Sequence, residues 1–250
     1  MYNFFVSENA RENGGYLITG ADFNHIKNVL RMKTGDSLLV SCEGKSDLCE
    51  IEGFTDDAVN VRVVEENYRE TELSIKIYLF QGLPKSDKLE LIIQKCVELG
   101  VYAIAPVEMS RCVVKLDAGK KNGKTARWQA IAESAAKQSK RNFIPEVMPV
   151  MSYAEMLDFA KNLDVFIIPY ENKDGMLSTK NALERIRGGM KVGILIGPEG
   201  GFDEREVEKA VAEGGLAVSL GKRILRTETA AITAVSMCML YAEMNIEDKI

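Results

Sequence analysis

Histidine is almost absent from this chain, and its scarcity excludes several kinds of site. His25 is the only one, so a zinc site is poorly supplied and a Ser-His-Asp or Cys-His centre could use no other imidazole. The five cysteines are odd in number and none is spaced as CxxC, which favours reduced thiols in core positions. We therefore expect no metal site and no histidine-dependent nucleophilic centre.

Long apolar runs are also missing. No stretch approaches the ~20 residues of a membrane helix, and the opening MYNFFV is too short for a signal peptide and is soon followed by Glu8. We expect a cytoplasmic protein. The net charge of −5 counts mildly against a nucleic-acid partner, although local basic patches matter more than the sum.

The pattern of predicted elements changes near residue 70. Short strands at 3–6, 16–18, 37–41, 48–54 and 58–64, with one helix at 22–30, suggest a small barrel. A polar stretch at 65–72 follows. Beyond it, strands alternate with helices: the strands lie at 75–81, 103–107, 164–168, 192–196 and 216–220, and the helices at 87–99, 125–139, 203–213 and 227–244. Ser152 with Glu155 has capping-box form and opens another helix. This alternation predicts an α/β domain with a mostly parallel sheet covered on both faces.

A glycine-rich loop, GPEGG, follows the apolar run at 192–196. Ligands of open α/β sheets bind beyond the carboxyl ends of strands, and glycines let a ligand approach the main chain. The loop is neither GxGxxG nor a P-loop, and Glu199 would repel phosphate. A nucleoside joined to a cation, as in S-adenosylmethionine, fits better; the alternative is a plain strand-to-helix turn.

A second motif, LGKRILRTETAA at 220–231, reads as a strand end, a basic turn and a long helix. Thr227 is a suitable side chain to cap that helix.

Both motifs resemble the signature of the small-subunit ribosomal RNA uracil-N3 methyltransferases, which belong to the SPOUT class. The resemblance continues in HIKNVLRMKTGD at 25–36, KSDK at 85–88, QKCVELG at 94–100, and ESAAKQSKR at 133–141 with Pro145. It covers nearly the whole chain, and the late motifs are specific.

The resemblance implies a PUA-like RNA-binding β-barrel at 1–70 and a SPOUT domain at 74–250 with a deep trefoil knot near 195–232. It also implies S-adenosylmethionine in the knot loops, a homodimer, and methylation of N3 of uridine 1498 of 16S rRNA in the assembled small subunit. On these grounds we expect the small residues Ala230, Ala231 and Ala234 to form a subunit contact. The expected cofactor-binding residues are Ile196, Gly197, Pro198, Glu199, Gly201, Leu220, Gly221, Ile224, Leu225, Arg226 and Thr229.

The chemistry of uracil N3 suggests roles for the basic residues. N3 lies on the Watson–Crick edge, so the base must be unpaired or extruded, and N3 must lose a proton. We expect Arg226 to stabilise charge on the uracil ring and Arg223 or Lys222 to hold phosphate; the alternative is an arginine paired with Glu199 or Glu228. Glu199 is the nominated proton acceptor, with bulk water as the alternative. The expected RNA-binding residues are His25, Arg31, Lys33, Lys85, Arg141 and Arg223.

Two other functions stay open. A SPOUT methyltransferase with another target would modify a ribose 2′-hydroxyl or a guanine. A ribosome-binding factor without catalysis would not bind S-adenosylmethionine, although the intact segment at 223–229 argues against that.

Overall fold

The computed structural model of the chain describes residues 1–12, 14–170 and 175–246 and divides into two units. The N-terminal unit comprises Met1–Glu72 and Ala136–Ile144, and the C-terminal unit comprises Leu73–Ala135 and Pro145–Ile250. The change from short strands to alternating strands and helices near residue 70 therefore coincides with the boundary between the two units at Glu72 and Leu73. It gave no sign that residues 136–144 join the first unit.

The N-terminal unit is built on one six-stranded sheet. Its order is β1-β4-β5-β6-β3-β2; β1 pairs with β4 in parallel and the other pairs are antiparallel. The strands are β1 (Asn3–Phe5), β2 (Arg11–Glu12), β3 (Gly15–Thr19), β4 (Ser37–Cys42), β5 (Lys45–Phe54) and β6 (Ala58–Glu65). Five of them were predicted; β2 was not. The predicted helix at 22–30 is instead a short helix, α1 (Gly20–Asn24), that continues as a π-helical turn at His25–Val29.

Buried polar groups join residues 136–144 to the N-terminal strands. Arg141, only 3% exposed, donates from Nε to both carboxylate oxygens of Glu72 at 2.9 and 3.0 Å. The N–H of Asn142 also donates to Glu72, at 2.8 Å, and Asn3 Nδ2 donates to the Arg141 carbonyl at 2.9 Å. Because buried charges and amides are costly unless paired, this segment completes the N-terminal unit.

The C-terminal unit contains a seven-stranded sheet in which every pair is parallel, which confirms the prediction. The order is β10-β8-β7-β12-β11-β13, with β9 against β8. The strands are β7 (Lys76–Gly82), β8 (Ala103–Glu108), β9 (Glu146–Val147), β10 (Met151–Ser152), β11 (Val165–Pro169), β12 (Lys191–Ile196) and β13 (Leu216–Val218). The two-residue strands β9 and β10 were not predicted, because they are too short to show a period.

Six helices lie wholly or mainly in the described part of this unit. They are α2 (Lys88–Glu98), α3 (Ala118–Ser139), α4 (Tyr153–Ala160), α5 (Leu177–Leu183), α6 (Glu204–Ala212) and α7 (Thr227–Asn245). The last turn of α3 belongs to the N-terminal unit. Capping boxes begin two of them: Ser152 with Glu155 opens α4, as predicted, and Asp203 with Glu206 opens α6. The seven-residue helix α5 was not predicted.

The sheet order determines where a site can form. The central strands β7 and β12 pair over six positions, from Lys191 with Lys76 to Ile196 with Gln81, so Gly82 and the glycine-rich loop leave the sheet at the same edge. The loops after β11 and β13 leave at that edge too, because all these strands are parallel. None of the described helices is long and apolar enough to cross a membrane. Nor do the described residues contain a group of three or more His, Cys, Asp or Glu placed to hold a metal ion.

Candidate functional site

A cavity of about 420 Å³ opens at the carboxyl ends of β11, β12 and β13. This is the size of pockets that hold small molecules or cofactors. Its walls are the two residues at the end of β11, the glycine-rich loop, the basic turn after β13 and one residue of α2: Lys88, Pro169, Tyr170, Ile196–Phe202, Ser219–Gly221, Arg223–Thr227 and Ala230.

Gly82, which the sequence analysis did not identify, seats the glycine-rich loop. A Cβ at this position would lie 2.7 Å from Cδ of Pro198 and 2.8 Å from its backbone nitrogen. Such distances are not tolerated, so Pro198 can pack onto the end of β7 only because residue 82 has no side chain. The loop then closes on itself, since the N–H of Gly201 donates to the Pro198 carbonyl at 2.9 Å.

Thr227 links the glycine-rich loop to the start of α7. The prediction that it caps this helix is wrong: Arg226 occupies the N-cap position and no side chain makes a cap hydrogen bond. The buried Thr227 hydroxyl instead donates to the Gly197 carbonyl at 2.6 Å and accepts from Gln81 Nε2 at 2.9 Å. Three segments distant in sequence, β7, the glycine-rich loop and α7, are thereby held together behind the cavity.

Lys88 makes two ion pairs beside the cavity. Its Nζ lies 3.2 Å from Oε1 of Glu199 and 3.3 Å from Oε2 of Glu228. The hydrogen bond and ion pair with Glu199 raise the pKa of Lys88 above its ordinary value, so the ammonium is permanently charged near neutral pH. Sequence reasoning missed this role, although Lys88 stands in the KSDK motif.

The environment of Glu199 makes it a poor proton acceptor. Burial raises the pKa of its carboxyl group, but the hydrogen bond from the Lys85 N–H, at 2.9 Å, and the ion pair with Lys88 outweigh burial and hold the pKa below 4.5. A carboxylate that binds protons so weakly is badly matched to removing one near neutral pH.

Arg223 and Arg226 are exposed at the cavity. Neither forms an ion pair with any of the residues the structure describes, and the two glutamates proposed as their alternative partners are bound by Lys88 instead. Ile224, between them in sequence, is 86% exposed. The cavity mouth therefore presents two guanidinium groups and one apolar side chain to a ligand.

The predicted cofactor residues come together here with one exception. Ile196, Gly197, Pro198, Glu199, Gly201, Leu220, Gly221, Ile224, Leu225 and Arg226 all line the cavity. Thr229 is exposed on the first turn of α7 and does not line it. Of the three residues expected to form a subunit contact, Ala231 and Ala234 cannot do so, since both are fully buried within the protomer. Ala230 is partly exposed and lines the cavity.

The predicted RNA-binding residues differ in accessibility. In the N-terminal unit His25, Arg31 and Lys33 are exposed; the His25 ring also packs edge-on against Phe4, with centroids 6.1 Å apart. In the C-terminal unit Lys85 is exposed, as is Arg223. Arg141 is buried and bound to Glu72, so its guanidinium is committed to the interior of the N-terminal unit.

Comparisons with known proteins match almost the whole chain. A family described as an RNA methyltransferase domain matches residues 71–239, and an RNA methyltransferase PUA domain matches residues 18–64. The chain is 40% identical to the ribosomal RNA small subunit methyltransferase E of Bacillus subtilis strain 168, over 98% of each chain.

Two similar solved structures contain a bound cofactor. One is a ribosomal RNA small subunit methyltransferase E from Neisseria gonorrhoeae bound to S-adenosyl methionine, with 32% identity, a TM-score of 0.78 and coverage of 94% of this chain and 95% of that one. The other is a Legionella pneumophila protein in complex with the bound cofactor SAM, with 31% identity, a TM-score of 0.79 and coverage of 96% and 98%. The likeness therefore extends over both units.

Proposed function

Because this chain belongs to the RNA methyltransferase family, we propose that it transfers a methyl group from S-adenosylmethionine to N3 of uridine 1498 in 16S rRNA of the small ribosomal subunit. The chain has a PUA-like N-terminal domain followed by an α/β methyltransferase domain. The observation that carries the proposal is the cavity at the carboxyl edge of the parallel sheet, where a glycine-rich loop meets two arginines that no acidic side chain neutralises among the described residues.

The cavity residues fit S-adenosylmethionine. A Cβ at Gly197 would lie 3.2 Å from the Gly201 backbone and 3.3 Å from the Phe202 ring, so the loop is narrow and offers main chain rather than side chains. The cofactor would be held by 196–201 and 220–226, and when bound it supplies an electrophilic methyl group. Arg226 stabilises negative charge on the uracil oxygens, because a guanidinium stays charged and donates in a planar fork.

A matched pair of arginine variants tests the role of Arg226. Arg226→Gln should lower the single-turnover methylation rate by about 100-fold or more, the usual loss when one donor to a developing oxyanion is removed. Arg205→Gln, which removes an exposed arginine of α6 away from the cavity, should leave the rate unchanged. Equal rates for both variants would exclude Arg226 from the reaction.

For RNA we propose contacts from His25, Arg31 and Lys33 in the N-terminal unit and from Lys85 and Arg223 in the C-terminal unit. All five are exposed, and the four lysines and arginines among them carry the positive charge that binds phosphate despite the acidic total. Each phosphate contact should contribute nearly one log unit of affinity per log unit of salt. Filter binding of small subunits at several salt concentrations measures this slope, and a flat response would contradict the surface.

A homodimer is also proposed, and α7 is the element that supports it. One face of the helix is buried in the protomer, yet Leu240 and Met244 on the other are 45% and 73% exposed. Two large apolar side chains exposed one turn apart on the outward face of the helix offer a contact for a second copy of the chain. Sedimentation at decreasing concentration should find a dimer, and a stable, active monomer would refute it.

Family membership also supports three further proposals. They are a cytoplasmic location, the domain limits of 1–70 and 74–250, and the knot near 195–232.

The decisive experiment uses small ribosomal subunits that lack the modification. Incubation with the protein and labelled S-adenosylmethionine, followed by nucleoside mass analysis, should yield 3-methyluridine. A 2′-O-methyl nucleoside, which protects the RNA from alkaline cleavage, or a methylguanosine would assign another target. No product and no cofactor binding in calorimetry would favour a ribosome-binding factor.

A further inference from the structure

Lys88 occupies an unusual position between two elements of the cofactor cavity. It begins α2, whereas Glu199 belongs to the glycine-rich loop and Glu228 to the first turn of α7. All three side chains are mostly shielded from solvent, with exposed fractions of 31%, 26% and 15%. Ion pairs so placed are weakened by solvent less than those on an open surface.

The two carboxylates depend on this lysine. Oε2 of Glu228 is buried and accepts no hydrogen bond from the described residues, so the Lys88 charge at 3.3 Å is its compensation. Oε1 of Glu199 shares the same ammonium at 3.2 Å. Without the cation, two negative charges would face each other, and like charges held close together repel.

Other polar and charged groups surround this cluster. The Lys85 N–H donates to Glu199. From the loop after β8, Arg111 Nη1 donates to the Gly200 carbonyl at 3.3 Å. Burial raises the pKa of the Cys112 thiol in the same loop, and the charge of Glu199 adds to that rise. Arg223 and Arg226 lie along the cavity wall. None of these groups lies between the two carboxylates as Lys88 does.

We propose that Lys88 is a positioning residue: it holds the glycine-rich loop and the first turn of α7 at the spacing that admits S-adenosylmethionine. This inference rests on the proposed function. Thr227 already ties the same two elements through its hydrogen bond to the Gly197 carbonyl. Lys88 ties them at the cavity wall with charge, because its ammonium pairs with a carboxylate of each element.

Calorimetric titration with S-adenosylmethionine between about pH 5.5 and pH 8 tests the inference. Lys88→Met keeps the length of the side chain and removes the charge, so the dissociation constant at pH 8 should rise about tenfold or more, equivalent to ~1.4 kcal/mol. The deficit should shrink as the pH falls, because Lys88 is one of the groups that hold the pKa of Glu199 low, and protonation of Glu199 relieves the repulsion once the lysine is gone. Lys88→Arg should bind within about threefold of the wild type.

A second substitution separates charge from packing. In Lys88→Met with Glu228→Gln only one carboxylate remains, so affinity at pH 8 should recover most of the loss. Lys95→Met serves as the matched control, since Lys95 lies on the same helix and pairs with Glu98 at 2.9 Å, away from the cavity. It should bind like the wild type, and thermal unfolding should confirm that all variants fold.

The possible failures are distinguishable. A wild-type protein that does not bind S-adenosylmethionine refutes the proposed function and the inference with it. A wild type that binds, beside a Lys88→Met variant of equal affinity at every pH, refutes the inference alone. A loss that is uniform across pH and not recovered by Glu228→Gln would assign Lys88 to ordinary packing and also overturn it.

Discussion

Replacing Gly82 by alanine tests how tightly the glycine-rich loop is seated on the sheet. The new Cβ would lie 2.7 and 2.8 Å from Cδ and the nitrogen of Pro198 and 2.9 Å from Sδ of Met109. The methionine side chain can turn away at little cost. Pro198 cannot, because its ring and nitrogen belong to the backbone of the loop.

The expected magnitude follows from overpacking. Forcing one extra methyl group into a packed interior costs about 1–3 kcal/mol. If the loop keeps its position, this strain lowers the free energy of unfolding. If the loop shifts to relieve it, the strain reappears when the cofactor binds, as a rise of about 5-fold to about 150-fold in the dissociation constant. The two losses should together account for the strain.

Urea unfolding and calorimetric titration with S-adenosylmethionine measure both parts. Gly123→Ala is the matched control: it makes the same change in α3, in the same unit, where a Cβ would meet nothing within 4 Å. Alanine should stabilise that helix by about 0.4–1 kcal/mol, so the two variants should differ in sign. A Gly82→Ala protein with wild-type stability and wild-type affinity would refute the reasoning.

Three further predictions concern polar and charged groups. Thr227→Val removes the 2.6 Å donor to the Gly197 carbonyl, which then keeps only Gln81 Nε2 at 3.5 Å, and should lower the free energy of unfolding by about 1–3 kcal/mol, while Thr227→Ser should restore it in urea titrations. Glu72→Ala removes the carboxylate that pairs with the buried guanidinium of Arg141 and should cost about 3–5 kcal/mol, a loss that a wild-type thermal midpoint would disprove. In the folded protein the pKa of Glu199 is held below its ordinary value. Its contribution to the free energy of unfolding is therefore fully present above the ordinary pKa and is lost as the pH falls through the folded pKa. The Glu199→Gln variant should lose less stability than the wild type when both are acidified.

Much of the secondary structure was predictable because apolar periodicity reports local burial. The strands of both units and the long helices begin and end within a few residues of their predicted limits, apart from α3, which begins seven residues earlier. The cavity was predictable for the same reason: the glycine-rich loop and the basic turn each follow a buried strand, and parallel strands bring such loops to one edge. Elements with too few residues to show a period, such as β9 and α5, were missed.

Contacts between distant segments were not predictable from the sequence. A threonine at the start of a helix is typical of a capping residue. Only the fold shows that Thr227 instead donates to the Gly197 carbonyl and so links the glycine-rich loop to α7. Lys88 reads as one more surface charge until the fold brings Glu199 and Glu228 to it. Arg141 stands in a basic run and was expected to bind RNA, yet Glu72 binds it in the interior.

The split of the N-terminal unit has a consequence for how the protein is made. A ribosome delivers the chain from its amino end, so the first six strands emerge long before residues 136–144. Until then Glu72 and Asn3 lack the partners that they have in the finished molecule. The N-terminal unit is therefore synthesised first but cannot finish folding until residues 136–144 have emerged. A fragment that ends at residue 72 would lack those partners permanently.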